Sequence, residues 1–309
     1  MRYLHLDVFT STPFEGNQLA VFPQPRREIA ADLMQRIAAE MAFPESTFVF
    51  PREGAGDVRM RIFTPGEELP MAGHPTIGTT FALAAEGVIE RGRTEFVFEL
   101  GVGPTPVSLE WNDRGLSFAW MTQPLPSFGP EVADRDALAA ALGVEARDIV
   151  HDLPVEAVSS GVPFLFVPLA TREAVDRVSI ERRALARTLH AACGRELPVF
   201  LFTTDRGRDA GAETVYSRML APGFGIAEDP ATGGASGPLG SYLLHHGAVS
   251  ASQARALLSL QGVAMRRPSR IHISIDSRDG TITRVRVGGQ AVLVGSGELN
   301  AAGGDHSMS

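Results

Sequence analysis

Residues 62–76 read Ile62-Phe63-Thr64-Pro65-Gly66-Glu67-Glu68-Leu69-Pro70-Met71-Ala72-Gly73-His74-Pro75-Thr76. Residues 219–236 repeat the phrase in kind: Met219-Leu220, Pro222-Gly223, Glu228-Asp229, then Thr232-Gly233-Gly234-Ala235-Ser236. Each phrase is a strand end, a Pro-Gly turn, an acidic pair, and glycine where a helix starts. Two such phrases in one chain predict a duplicated fold whose halves face each other. A helix start carries free backbone N–H groups and the positive end of the macrodipole, so it receives anions. Glycine at that point lets a ligand approach the main chain. Either phrase alone is also explained by capping. The pair together predicts one small anionic substrate held between two lobes, the usual place for a site in a two-domain enzyme.

Outward from these phrases the hydrophobic pattern alternates between strand and helix. Strands are predicted at Tyr3 to Phe9, Gln18 to Phe22, Ser46 to Phe50, Val58 to Phe63, Thr94 to Leu100, Val107 to Glu110 and Leu116 to Met121. In the second half they are predicted at Phe164 to Leu169, Pro198 to Thr204, Thr214 to Leu220, Arg270 to Ile275, Ile282 to Val287 and Ala291 to Val294. Ile29, Leu33, Ile37 and Met41 recur at helical spacing, so a helix is predicted from about Glu28 to Met41. Further helices are predicted at Ile77 to Glu86, with Pro75 at a good first position, at Asp136 to Leu142, at Arg182 to Ala192, and at Ser236 to His245. Pro and Gly between Pro124 and Pro130 mark the crossing between lobes, and Gly303 to Ser309 reads as a loose tail. Many strands with few helices and no regular β-α-β alternation give an α+β class. The lobes are predicted at 1–120, completed by the strand near 291–301, and at 121–290.

Composition narrows the function. A chain of 309 residues is sufficient for two lobes, and its net charge of -8 argues against nucleic acid or an anionic membrane as partner. Cys193 is the single cysteine, which rules out an intramolecular disulfide, a thiolate cluster and any two-thiol mechanism. No apolar run of about 20 residues suggests a membrane span, and the opening MRYLHLDVF reads as a strand, so the cytoplasm is the expected location. No GxGxxG, HExxH, paired CxxC or GxxxxGK[ST] is present, so neither a cofactor nor a metal is expected.

Further motifs carry a family resemblance. Asp7-Val8-Phe9-Thr10 with Pro13-Phe14 and Gly16-Asn17, Glu45-Ser46-Thr47-Phe48-Val49, Arg61 to Pro65, Ala72 to Thr76, Glu228 to Gly233, Gln261-Gly262, Arg267-Pro268-Ser269 and Val287-Gly288-Gly289 stand in the order of the PhzF phenazine-biosynthesis family. The chain resembles that family over essentially its whole length. The resemblance implies a diaminopimelate epimerase-like fold, each lobe a mixed or antiparallel sheet wrapped around a central helix, with the active site in the cleft. It also implies a homodimer and a cofactor-independent isomerase that moves a proton between carbons of a small amino or cyclic carboxylate. Related epimerases use a cysteine at each helix start; neither phrase here contains one.

Under the resemblance, Glu45 is the general acid/base, His74 and Asp229 surround the substrate, and Gly73, Gly233 and Gly234 supply backbone donors. From composition alone Glu45 is a solvated turn residue, His74 a packed helix-start histidine and Asp229 a helix cap. A carboxyl shielded from water gains a pKa suited to accepting and returning a proton, and Phe43 and Phe48 beside Glu45 suggest such shielding. Arg59, Arg61 and Arg218 read as strand-surface charges, with one of them a candidate to neutralise a substrate carboxylate. Three positions depart from the family pattern: Pro44 and Gly234 stand where serines are common, and Arg266 where glycine is usual. They leave open a non-catalytic anion-binding protein, or an epimerase or lyase of another substrate.

Overall fold

The computed structural model describes residues 1–23, 29–205 and 213–300. The expected helix start at Glu28 and the tail from Gly303 lie outside these residues. Strands run β1 (Arg2–Val8), β2 (Asn17–Phe22), β3 (Glu45–Pro51), β4 (Val58–Phe63), β5 (Glu68–Leu69), β6 (Glu95–Leu100), β7 (Gly103–Asn112), β8 (Gly115–Gln123) and β9 (Ser127–Glu131). They continue as β10 (Glu156–Ser159), β11 (Pro163–Pro168), β12 (Val199–Thr203), β13 (Glu213–Ala221), β14 (Ile226–Asp229), β15 (Leu257–Gln261), β16 (Ser269–Arg278), β17 (Thr281–Gly289) and β18 (Ala291–Glu298). The helices are α1 (Ala31–Met41), α2 (Gly73–Ala85), α3 (Arg135–Leu142), α4 (Arg172–Arg177), α5 (Arg182–Cys193) and α6 (Gly233–His245).

The ladder resolves into two runs with one pattern. The first is β18-β1-β2-β3-β4-β6-β7-β8, parallel only at β2–β3 and β4–β6. The second is β9-β10-β11-β12-β13-β15-β16-β17, parallel only at β11–β12 and β13–β15. The short strands β5 and β14 fold back on β4 and β13 in the same place. The repetition of parallel and antiparallel steps shows the internal duplication that the two phrases predicted. Among the described residues, β8 against β17 is the strand pairing that joins the runs.

Each run curls around one helix. Both α2 and α6 are buried on nearly every side, which is why their sequences are apolar and small all round instead of amphipathic. Small residues permit the close fit: a Cβ on Gly78 would lie 2.5 Å from Leu19 Cδ2, and one on Gly240 2.6 Å from Ile273 Cγ2. On the outer faces, α1 covers Phe22, Phe48, Phe50 and Phe63, and α3 to α5 cover an aliphatic cluster including Leu165, Val167 and Leu201. The sequence-predicted crossing at Pro124 to Pro130 in fact contains β9, and β10, β15 and α4 were not predicted. Arg218 is not a surface charge: it is 9% exposed and gripped by Glu228 and by the carbonyls of Val175 and Asp176. Its counterpart Arg61 makes the same two-toothed contact with Glu68 in the first lobe, at the surface.

Among the described residues, no helix is long and apolar enough to cross a membrane.

Candidate active site

The two central helices begin against one another. A Cβ on Gly73 would lie 2.7 Å from the Gly233 carbonyl carbon and 2.9 Å from the Gly234 nitrogen. A Cβ on Gly233 would meet Gly73 Cα at 3.1 Å and the Phe9 ring at 3.0 Å. Glycine at both helix starts is therefore needed for the backbones to touch. Gly73, Gly233 and Gly234 come together, so the first turns of the two helices meet.

β3 places Glu45 beside them. Side chains alternate along a strand, so Glu45, Thr47 and Val49 share one face while Ser46, Phe48 and Phe50 share the other. Thr47 bonds Thr79 of α2 at 2.8 Å and Val49 packs in the cluster around α2, whereas Phe48 and Phe50 lie under α1. The shielding expected from Phe48 is thus a misreading: that ring is on the opposite face, and Phe43 packs tilted against His5. Glu45 is shielded instead by the second lobe and the start of α2. Its side chain keeps 16% exposure and its Oε2 lies 3.1 Å from His74 Nε2, out of line for a hydrogen bond. Burial, aided by the negative Asp229, holds the Glu45 carboxyl well above the usual range.

His74 is 4% exposed in the first turn of α2. Burial lowers its pKa to about 3, against the opposing effect of a bond to the Gln18 backbone, so the ring is neutral. Among the described residues its Nε2 has no hydrogen-bond partner, which leaves the ring's bond to Gln18 to Nδ1. That tautomer turns a bare Nε2 toward Glu45, and a protonated Glu45 suits it. Asp229 faces the pair from the second lobe. It does not cap α6, as composition suggested; its Oδ2 accepts from Thr232 Oγ1 at 2.5 Å and its Oδ1 from Asn17 Nδ2 at 2.8 Å. Burial raises it to about 6, against the opposing effect of these donors.

The six residues predicted for the site stand together. Two that hold them, Asn17 and Gln261, were missed. Asn17 donates Nδ2 to Asp229 Oδ1 and to the Ala231 carbonyl at 3.0 Å, and the same nitrogen packs against His74 Nδ1 at 3.3 Å with no third N–H to give. Gln261 donates to the Asp229 carbonyl at 2.8 Å and to Thr232 Oγ1 at 2.9 Å, and accepts from Thr232 N at 3.0 Å. Gly16-Asn17 and Gln261-Gly262 were visible as motif residues, but nothing in the sequence tied either to Asp229. Of the remaining described histidines, His151 and His190 are exposed, whereas His5, His246 and His272 are partly buried. Among the described residues, no three His, Cys, Asp or Glu side chains converge as a metal site requires.

The duplicated α+β fold is one that PhzF-family and hydroxyproline epimerase structures share. A hydroxyproline epimerase from Agrobacterium vitis shares the fold, with a TM-score of 0.62 at 14% identity over 96% of this chain and 91% of that one. A PhzF-family phenazine biosynthesis protein of Bacillus anthracis is similar at a TM-score of 0.85 and 26% identity, over 97% and 98% of the two chains. In sequence, a trans-2,3-dihydro-3-hydroxyanthranilate isomerase of Pseudomonas fluorescens is 36% identical over 299 residues, 96% of this chain and 98% of that protein. Residues 6–297 match the family described as phenazine biosynthesis-like protein. The chain belongs to that family, and it is an isomerase.

Proposed function

We propose that this isomerase moves a proton between carbons of a small cyclic or amino carboxylate, with Glu45 as the group that takes and returns it. The observation that carries this reading is the Glu45–His74 pair. Oε2 and Nε2 lie 3.1 Å apart, neither has a hydrogen-bond partner among the described residues, and both sit where the two glycine helix starts touch. A proton-transfer group needs a pKa near the working pH and a clear path to the reacting carbon. Burial moves the Glu45 carboxyl upward from its usual range, and the unsatisfied oxygen is free for the second. The helix-start amides suit the substrate carboxylate and any negative charge that develops when a carbon loses its proton. His74, neutral and bare at Nε2, stands where it can accept a hydrogen bond from protonated Glu45 and orient that carboxyl. The chemistry needs no cofactor, and the substrate of the Pseudomonas relatives is the first compound to test. A homodimer, expected from the resemblance, belongs with this reading and is checked by sedimentation.

The test is solvent-deuterium incorporation followed by NMR, with dihydro-hydroxyanthranilate and a panel of cyclic and amino carboxylates. Glu45→Gln keeps the shape and removes the titrating group, so exchange at carbon falls by at least roughly 100-fold while binding persists. Exchange that survives in the variant overturns the assignment of Glu45. Binding without exchange in the wild type favours the anion-binding alternative.

A further inference from the structure

Asn17 is fully buried at the start of β2, in the first lobe, yet its partners in the second lobe are more than 200 residues away in sequence. A side-chain amide has two N–H groups. Here both are taken by acceptors, Asp229 Oδ1 at 2.8 Å and the Ala231 carbonyl at 3.0 Å. Turning the amide over would set oxygen against both, so its orientation is fixed. The same nitrogen lies against His74 Nδ1 at 3.3 Å. One carboxamide therefore touches both groups that flank Glu45 and bridges the two lobes.

The backbone around Asn17 is built to hold it. Gly16 adopts φ +68°, and a Cβ there would lie 2.3 Å from the Val8 carbonyl oxygen. Arg267, from the second lobe, donates Nε to the Gly16 carbonyl at 2.8 Å and Nη2 to the Glu15 carbonyl at 2.8 Å, and pairs with the buried Asp7 at 2.5 Å. The loop before β2 is thus clamped from the same side that Asn17 reaches.

We propose that Asn17 is a positioning residue that keeps the Asp229 carboxylate charged and aligned with His74 and Glu45, so that the contact between the two lobes sets the protonation state of the site. This rests on the proton-transfer reading for its consequence to catalysis, though not for its electrostatics. Donors to a carboxylate favour its charged form. Without Asn17, among the described residues Asp229 keeps only the Thr232 hydroxyl as side-chain donor, in surroundings that already push it upward. The titratable groups facing Asp229 are Glu45 on β3, His74 on α2 and its neighbour Glu228 on β14, which Arg218 neutralises.

The experiment is a carboxyl-carbon NMR titration of the full chain labelled at aspartate, with the Asp229 signal assigned through Asp229→Asn. Asn17→Ala and Asn17→Leu remove both donors; Asn17→Ser keeps one and serves if the others fail to fold. The Asp229 midpoint is expected to rise by about one unit or more in Ala and Leu, and by less in Ser. With an exchanging substrate, kcat falls roughly 10- to 100-fold while KM changes little, and Asn17→Ala adds nothing to Asp229→Asn. A folded variant whose Asp229 midpoint stays where it was overturns the proposal. Because the titration needs no substrate, a wrong choice of substrate cannot be mistaken for that failure.

Discussion

His74 and Asp229 are buried side by side with opposite proton linkage. The folded state refuses a proton on His74 until about pH 3, whereas an unfolded histidine takes one near 6.5, so stability from this group is lost as pH falls below 6.5. Asp229 holds its proton up to about pH 6, against 3.8 ordinarily, so its contribution is lost as pH rises through that window. Between about pH 4 and 6 the two oppose each other. Replacing His74 by Asn removes only the first. The stability difference between His74→Asn and wild type is therefore expected to move in favour of the variant, on the order of 3 kcal/mol, as pH falls from 7 to 4. Urea denaturation at the two pH values measures it. A difference independent of pH would show that the imidazole is not buried neutral. At this scale the motif residues were legible as types: a lone glutamate, a histidine and an aspartate beside glycine. Their protonation states were not, because burial comes from residues far away in the chain.

The two central helices are the elements that make the site, and their starts tolerate no side chain. At Gly73 a Cβ would meet main-chain atoms, which cannot swing aside; at Gly78 it would meet the ends of Leu19 and Val8, which can adjust. Gly73→Ala is expected to destabilise by roughly 1–3 kcal/mol and to cost most of the activity. Gly78→Ala is expected to keep the activity at a smaller stability cost. Thermal unfolding and the deuterium-exchange assay read both, and equal losses would mean that the helix starts are not in backbone contact. Periodicity found the central helices but began them late, after Pro75 and at Ser236, because glycine and proline interrupt an apolar pattern. The structure starts them at Gly73 and Gly233, on the glycines themselves. Short strands such as β10 and β14, with four residues each, gave no alternation long enough to read.

Across the whole molecule the two runs of strands meet at β8 and β17. Gly288 makes that joint possible: a Cβ there would lie 2.7 Å from the Ala119 carbonyl oxygen and 2.6 Å from the Trp120 ring. A valine at 288 is expected to pry the pair apart and divide unfolding into two calorimetric transitions. A single transition for a folded Gly288→Val would show that the joint does not carry the cooperativity between the halves. The aligned helix starts, with Asn17 and Arg267 reaching across, make the site a property of both lobes at once.

The sequence by itself determined the class of fold, the duplication and the residue types of the site, because these depend on local patterns: alternation, turn chemistry, and glycine at a helix start. Tertiary structure alone decided that Asn17 and Gln261 belong to the site, that Arg218 is buried and that Phe48 turns away from Glu45. Hydrogen bonds and desolvation depend on distance in space, and residues 17, 45, 74, 229 and 261 become neighbours only when the two sheets close around their helices.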